Sequence, residues 1–351
     1  TTWSVVINNI SRLTYTDTGL TTSQVYYYKV SAVNAYGISA FSASANAMAS
    51  DVPSQVTGLT ATPLTNYEIQ LDWTAPNSNG YSISGYTIER STDSGTTWTV
   101  LVADTQNTNV TYTDINLTVS QTYDYKISAI NQVGTGTAST AANAQAGSIP
   151  DAPAMTLTAL PNNSIQLDWT VPANNGFAIT TYAVVRSTDG INWSPLVAIN
   201  ANTYQDTGLT NSATYYYKVT AVNQIGNSAF SAPVSVIAGD VPAQVTGLTA
   251  TTTSNTSIDL AWTAPNDNGY AISGYMIERS TDNGVTWSTL VADTQSLALA
   301  YSDTGLTTGT YYTYKISAIN SLGTGPASAT STSHAGDVPD ATVLTATPSA
   351  S

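Results

Sequence analysis

Cysteine is absent from the 351 residues, and histidine occurs once, as His334. Disulfides and thiolate metal ligation are therefore excluded, and a zinc site built on His and Cys has too few ligands to form. His334 lies in TSHAGD near the end of a repeat, where a solvated linker histidine is expected in place of a catalytic one. Bases are scarce: 8 Lys and Arg face 22 Asp and Glu, for a net charge of −14. Such a surface repels phosphate backbones and anionic lipid, which argues against nucleic acid as a partner. Nearly all the acids are Asp, and Glu is confined to Glu68, Glu89 and Glu278. Glu89 and Glu278 fall on the outer face of a strand beside Lys126 and Lys315, which reads as exposed ion pairs and not as the paired carboxylates of a glycosidase. No apolar run in this segment is long enough to span a bilayer, and no charged-then-apolar signal segment opens it. Little remains from which to assemble nucleophile, base and metal, so the chain is read as non-catalytic and without a cofactor.

What is abundant is Thr, Ser, Asn and Gly, with 22 Tyr against 3 Phe, a composition that suits extracellular β-proteins. The chain also repeats itself. DVPSQVTGLTAT at residue 51 returns as DVPAQVTGLTAT at 240, and related openings begin at 148 and 337. Each interval of 92 to 97 residues is enough for one domain core. The expected domains are 51–147, 148–239 and 240–336, with 1–50 holding the later part of another and 337–351 the first strand of a further one. These end pieces read as parts of a longer array; alternatively, the last strand is donated to the incomplete domain of another copy. Residues 1–50 and 148–239 share YYYKV and SAFSA, whereas 51–147 and 240–336 share LVADTQ and the near-identical YTIER and YMIER. Two domain types thus alternate, and two kinds of junction with them. The junctions are brief and contain Pro, as in AGDVPAQV, so an extended, semi-rigid rod is expected.

Inside each repeat the hydrophobic period is two. Ile69, Leu71 and Trp73 alternate with Gln70 and Asp72, and the pattern returns at Ile165, Leu167, Trp169 and at Ile258, Leu260, Trp262. An Asn- and Gly-rich loop follows, then a strand carrying Tyr86 and Ile88 inward, then a tight turn at Asp93-Ser94-Gly95, Asp189-Gly190 or Asp282-Asn283-Gly284. Further on, Leu precedes Tyr by six residues in all four copies: Leu20 and Tyr26, Leu117 and Tyr123, Leu209 and Tyr215, Leu306 and Tyr312. Beyond that Tyr, Tyr28, Val30 and Ala32 continue the inward face while Lys29 points out. Nothing reads as an amphipathic helix. Trp on the second strand, Tyr on the third, the Leu–Tyr spacing and the string Tyr-x-(Val/Ile)-x-Ala-x-Asn together resemble the fibronectin type III domain over the whole chain. The resemblance implies an all-β fold of seven-stranded, immunoglobulin-like sandwiches. It also implies core positions for Trp73, Trp169 and Trp262, and a tyrosine-corner hydrogen bond to backbone for Tyr26, Tyr123, Tyr215 and Tyr312.

Several surface residues are candidates for function. Trp3, Trp98, Trp193 and Trp287 recur just past the hairpin turn, as edge packing or as a sugar-stacking platform. Asp51, Asp151, Asp240, Asp337 and Asp340 mark junctions where Ca²⁺ binding is conceivable, though the ligand run of a calcium loop is missing. Lys29, Lys126, Lys218 and Lys315 share one outward strand position, which disfavours isopeptide chemistry in an apolar core. Asn9, Asn109, Asn116, Asn162, Asn192 and Asn255 open N-glycosylation sequons. Tyr27 and Tyr216, outward aromatics of one domain type, are candidate subunit contacts. The function expected from these features is a non-catalytic structural or adhesive segment of a long surface fibre, filament or stalk. It would lie outside the cell and associate with itself or with other cell-surface proteins or glycans. Spacer modules of a secreted polysaccharide-degrading enzyme and a viral or phage fibre are the alternatives.

Overall fold

The computed structural model of the chain describes residues 2–336. The strand expected at 337–351, with Asp337 and Asp340, lies outside them. Two compact units make up the chain: the first holds residues up to 151 with 173–179 and 222–227, and the second holds 152–172, 180–221 and the residues from 228 on. Among the described residues the sole helical segment is a single 3₁₀ turn at Thr65–Tyr67; the rest is strand and loop.

The first fifty residues contribute β1 (Val25–Tyr28), β2 (Val33–Asn34), β3 (Gly37–Ile38) and β4 (Ala45–Met48), with β1 paired to β4 and β2 to β3. The next repeat contributes β5 (Thr57–Pro63), β6 (Ile69–Thr74), β7 (Gly85–Ser91), β8 (Thr99–Val102), β9 (Thr111–Asp114), β10 (Thr122–Ile130) and β11 (Ala142–Gln145). These seven strands form two antiparallel sheets, β5-β6-β9 and β11-β10-β7-β8. The third repeat follows the same plan. Its strands are β12 (Met155–Leu160), β13 (Ser164–Trp169), β14 (Thr181–Ser187), β15 (Ser194–Ile199), β16 (Thr203–Asp206), β17 (Thr214–Val222) and β18 (Val234–Ile237). The fourth has β19 (Thr246–Ser254), β20 (Ser257–Thr263), β21 (Gly274–Ser280), β22 (Ser288–Val291), β23 (Ala300–Thr304) and β24 (Tyr311–Asn320), then a short hairpin strand β25 (Gly323–Thr324) and β26 (Ser331–His334).

Alternation decides which side chains are buried. On β6, Ile69, Leu71 and Trp73 point inward, and on β10 Tyr125, Ile127 and Ala129 face them from the other sheet; all six are buried. Trp73 meets Tyr86 edge to face with ring centroids 5.1 Å apart, and Trp169–Tyr182 and Trp262–Tyr275 repeat the contact at 5.6 and 5.1 Å. Each expected tyrosine corner is present. The hydroxyls of Tyr26, Tyr123, Tyr215 and Tyr312 accept from the backbone N–H of Thr21, Thr118, Thr210 and Thr307 at 2.9–3.1 Å, which pins the turn before the strand. Two residues need correcting in the first fifty: Val30 and Ala32, expected to face a core, are exposed, Val30 at 71%, because no Trp-bearing strand packs opposite them there.

The interdomain joints as candidate functional site

The most elaborate polar construction in each repeat surrounds its entry linker. It starts from the Asn that closes the string Ala-Ile-Asn or Ala-Val-Asn. In the first unit Asn131 is buried, and its Nδ2 donates to the carbonyls of Asp51 and Ser78, both at 2.8 Å. Its Oδ1 accepts from the N–H of Val133 at 2.9 Å. One amide therefore ties together the linker, the loop after the Trp strand and the hairpin after its own strand. Asn223 does the same with Ser148 O and Asn174 O, and in the second unit Asn320 does so with Asp240 O and Asp267 O.

A second Asn reaches the linker from the loop itself. Asn79, Asn175 and Asn268 adopt φ of 51°, 51° and 55°, a left-handed conformation that Asn tolerates better than most residues. Their Nδ2 groups donate to Val52 O, Ile149 O and Val241 O at 2.8, 2.9 and 2.7 Å. Gly follows in each case because the loop sits close against the preceding residues of the array: a Cβ on Gly176 would stand 3.0 Å from Ala146 O, and one on Gly269 3.1 Å from Ser212 Oγ. An aromatic comes next. Tyr270 lies over Gly239, and its hydroxyl donates to Ile237 O at 2.8 Å. Phe177 lies over Gly147, and there Gln145 Nε2 donates to Gly176 O at 2.6 Å. The sequence at this point is Asn-Gly-Tyr for the joints at 51 and 240, and Asn-Gly-Phe for the one at 148.

The junction carboxylates shape these linkers. Asp51 Oδ1 accepts from Val52 N at 2.8 Å, Asp151 Oδ1 from Asn175 Nδ2 at 3.0 Å, and Asp240 Oδ1 from Val241 N and Asn162 N at 2.8 and 2.9 Å. Among the described residues, no three His, Cys, Asp or Glu side chains come together as a metal ligand set.

A buried charged group escaped the sequence reading. Arg90 on β7 pairs with Asp114 on β9 at 2.9 Å, and the hydroxyl of Tyr125 donates to the same carboxylate at 2.9 Å. The guanidinium also lies 5.3 Å from the ring of Tyr123, the corner tyrosine. Arg186–Asp206–Tyr217 and Arg279–Asp303–Tyr314 repeat the arrangement, and Tyr28 donates to Asp17 at 3.0 Å. The signal was available: an Asp stands eleven residues before the inward Tyr in all four copies. The triad joins two sheets and touches no nucleophile.

On the outer face, Lys126 Nζ lies 4.5 Å from the Trp98 ring centroid and 3.5 Å from Glu89, and Lys315 repeats this with Trp287 and Glu278. In the other domain type, Val185 stands where Glu89 does, and a Phe takes up the lysine instead. Lys218 lies between Trp193 and Phe230 at 4.2 and 4.5 Å, and Lys29 between Trp3 and Phe41, both at 4.3 Å. The lysine occupies the ring face that a sugar would need, which favours the edge-packing reading. Trp98 also donates its indole N–H to Gly95 O at 2.9 Å, and it sits just before β8.

Other candidates fall as follows. Tyr27 is 55% exposed, whereas Tyr216 is half-buried because its ring lies against Gly190 in the hairpin turn. Asn9, Asn109, Asn116, Asn162 and Asn192 are exposed and Asn255 is half-buried; the Asn192 amide is engaged with Asp189 at 2.7 Å. His334 is no solvated linker residue. It belongs to β26 and stacks on Tyr311 with centroids 5.1 Å apart, because the strand runs on to that point. The turn aspartates are held well below the usual carboxylate range, Asp93 and Asp282 at about 2, by hydrogen bonds from the hydroxyl and backbone N–H of Thr97 or Thr286 and from the hydroxyl of Ser91 or Ser280. Asp189 is lowered in the same way by Asn192, Ile191 and Ser187.

Seven strands in two sheets around a Trp, closed by a tyrosine corner and repeated in tandem, define a class of β-sandwich array. The family model for the fibronectin type III domain matches residues 54–145, 150–237 and 243–334, and the chain belongs to that family. It is similar to Exoglucanase B of Cellulomonas fimi, 31% identical over 290 residues covering 77% of this chain and 24% of that protein. Human Myomesin-2 is 26% identical over 355 residues, 89% of this chain and 24% of that protein. The mouse cell adhesion molecule DSCAML1 is 26% identical over 294 residues, 78% of this chain and 13% of that protein. The chain thus spans a quarter or less of each of these relatives. The solved FN1-FN3 domains of chicken CNTN1 align with a TM-score of 0.37 at 21% identity, covering 81% of this chain and 99% of that one.

Proposed function

We propose that the chain is a non-catalytic segment of an extracellular structural or adhesive protein: a fibre, filament or stalk built from alternating domain pairs. The observation that carries this reading is the threefold recurrence of the joint, in which two Asn amides hold the linker carbonyls at Asp51/Val52, Ser148/Ile149 and Asp240/Val241. Polar machinery of this kind conserves the geometry of a junction and has no use in catalysis. The cell adhesion molecule among the relatives supports the same reading. Tyr27, the more exposed of the two aromatic candidates, serves as a contact between subunits, and the exposed sequons carry glycan where the protein is made by a glycosylating cell.

The likeness to an exoglucanase favours a second reading, in which the array is a spacer inside a secreted polysaccharide-degrading enzyme. Electron microscopy of the native material separates the two. Ordered filaments with an axial repeat of one domain pair are expected for the fibre; isolated threads ending in a globular catalytic body would replace it with the spacer.

A further inference from the structure

The domains at 51–147 and 240–336 are close relatives, and two of the places where they differ lie on neighbouring loops. QNTNV at 106–110 becomes QSLAL at 295–299, and Ser78 in the loop after the Trp strand becomes Asp267. Thr108 and Val110 are thereby replaced by Leu297 and Leu299. The substituted residues converge on one feature. Leu297 and Leu299, 65% and 39% exposed, line an open groove of about 510 Å³ together with Pro265, Ile272, the buried Tyr275 and the exposed Asp267. A smaller hollow of about 260 Å³ is lined by Asp293, Ser296 and Ala298 of the same loop.

A leucine held out on a loop loses the benefit of burial unless something covers it, and here two do so side by side. Both hollows contain an acid and neither contains a Lys or Arg. We infer that this groove is a docking site for a short peptide segment of a partner protein that carries apolar side chains next to lysine or arginine. Charge complementarity selects that occupant: a second copy of this chain, at −14, would bring more acid to an acidic groove. Sugar is disfavoured by the lining, since sugars stack on open aromatic faces and Tyr275, the one ring in the groove, is buried. The inference goes beyond the structural role proposed above and holds whether the array is fibre or spacer.

The test uses the whole chain with labelled leucine methyl groups, observed by NMR in about 0.15 M salt so that unspecific attraction to the acidic surface is screened. Three probes are titrated: a short peptide alternating leucine and lysine, its analogue with glutamate for lysine, and a neutral glucose oligosaccharide. The lysine peptide is expected to shift the Leu297 and Leu299 methyl signals and to bind at least about tenfold more tightly than the glutamate analogue. The triple variant Asp267→Ser, Leu297→Thr, Leu299→Val should weaken it at least about tenfold, the loss expected when leucine burial is removed. That variant carries the residues the 51–147 domain already has, so its fold is retained. Equal affinity for the triple variant, binding that leaves both leucine signals unmoved, or a response of those leucines to the oligosaccharide alone would each overturn the inference.

Discussion

Asp114, Asp206 and Asp303 are ionisable groups sealed between two sheets, and each is answered by one Arg and one Tyr hydroxyl. Removing the carboxylate leaves both partners without an acceptor, which is costlier than losing the contact itself. Asp206→Ala should therefore destabilise the 148–239 domain by about 3 kcal/mol, at the low end for a buried pair because the Arg186 side chain is 36% exposed. Urea unfolding of that domain checks the value. The inward tyrosines give a matching pH dependence. Tyr125, Tyr217 and Tyr314 are pushed up from the usual phenol value, first by burial and then by the hydrogen bond to the neighbouring Asp and its charge. A pKa raised in the fold means that the contribution is complete below the unfolded value of about 10 and is lost as pH rises beyond it. In an alkaline titration, tyrosinate absorbance from these three residues should appear only together with loss of the β-sheet signal.

Strands, turns and loops differ in how far the sequence reveals them. The period of two located the core faces of β6, β13 and β20, and the Leu–Tyr spacing located the corner, since both depend on neighbours along one strand. The hairpin turns were legible for the same local reason: Ser94, Gly95, Gly190, Asn283 and Gly284 all adopt positive φ. Of the buried group, the Asp–Tyr spacing of eleven was legible but the Arg partner was not, because Arg and Asp lie on different sheets and their separation changes from 24 residues to 20 with the loop between them. The joint was half legible. Asn-Gly marked a turn, but nothing local says that Asn131, Asn223 or Asn320 reaches back some 75 to 80 residues to the linker. Alternation placed Tyr216 outward, but could not show that the Gly190 turn packs against its ring. For the loop, the expected consequence is specific: Asn320→Ala strips a donor from Asp240 O and Asp267 O and should lower the stability of the 240–336 domain by about 2 kcal/mol. Backbone amides of residues 264–273 should exchange faster in the same variant, which hydrogen exchange reads directly.

Across the array, the parts that recur are those that set geometry: a core Trp, a corner Tyr, a sealed Arg–Asp–Tyr group and a linker held by two amides. What varies between copies lies on the outside, where Glu gives way to Phe beside the stacked lysine and where one loop of the 240–336 domain turns apolar. Residues that set geometry are thus kept and residues on the surface are free to differ, as expected where sites are carried on a common fold. The account rests on the linkers behaving as part of the fold, and ¹⁵N relaxation across the joint at 237–243 tests that most directly. Amides in the strands of β12–β18 and β19–β26 should share one rotational correlation time, with order at Asp240 and Val241 equal to that of the strands. Two separate, shorter correlation times with a mobile linker between them would contradict it.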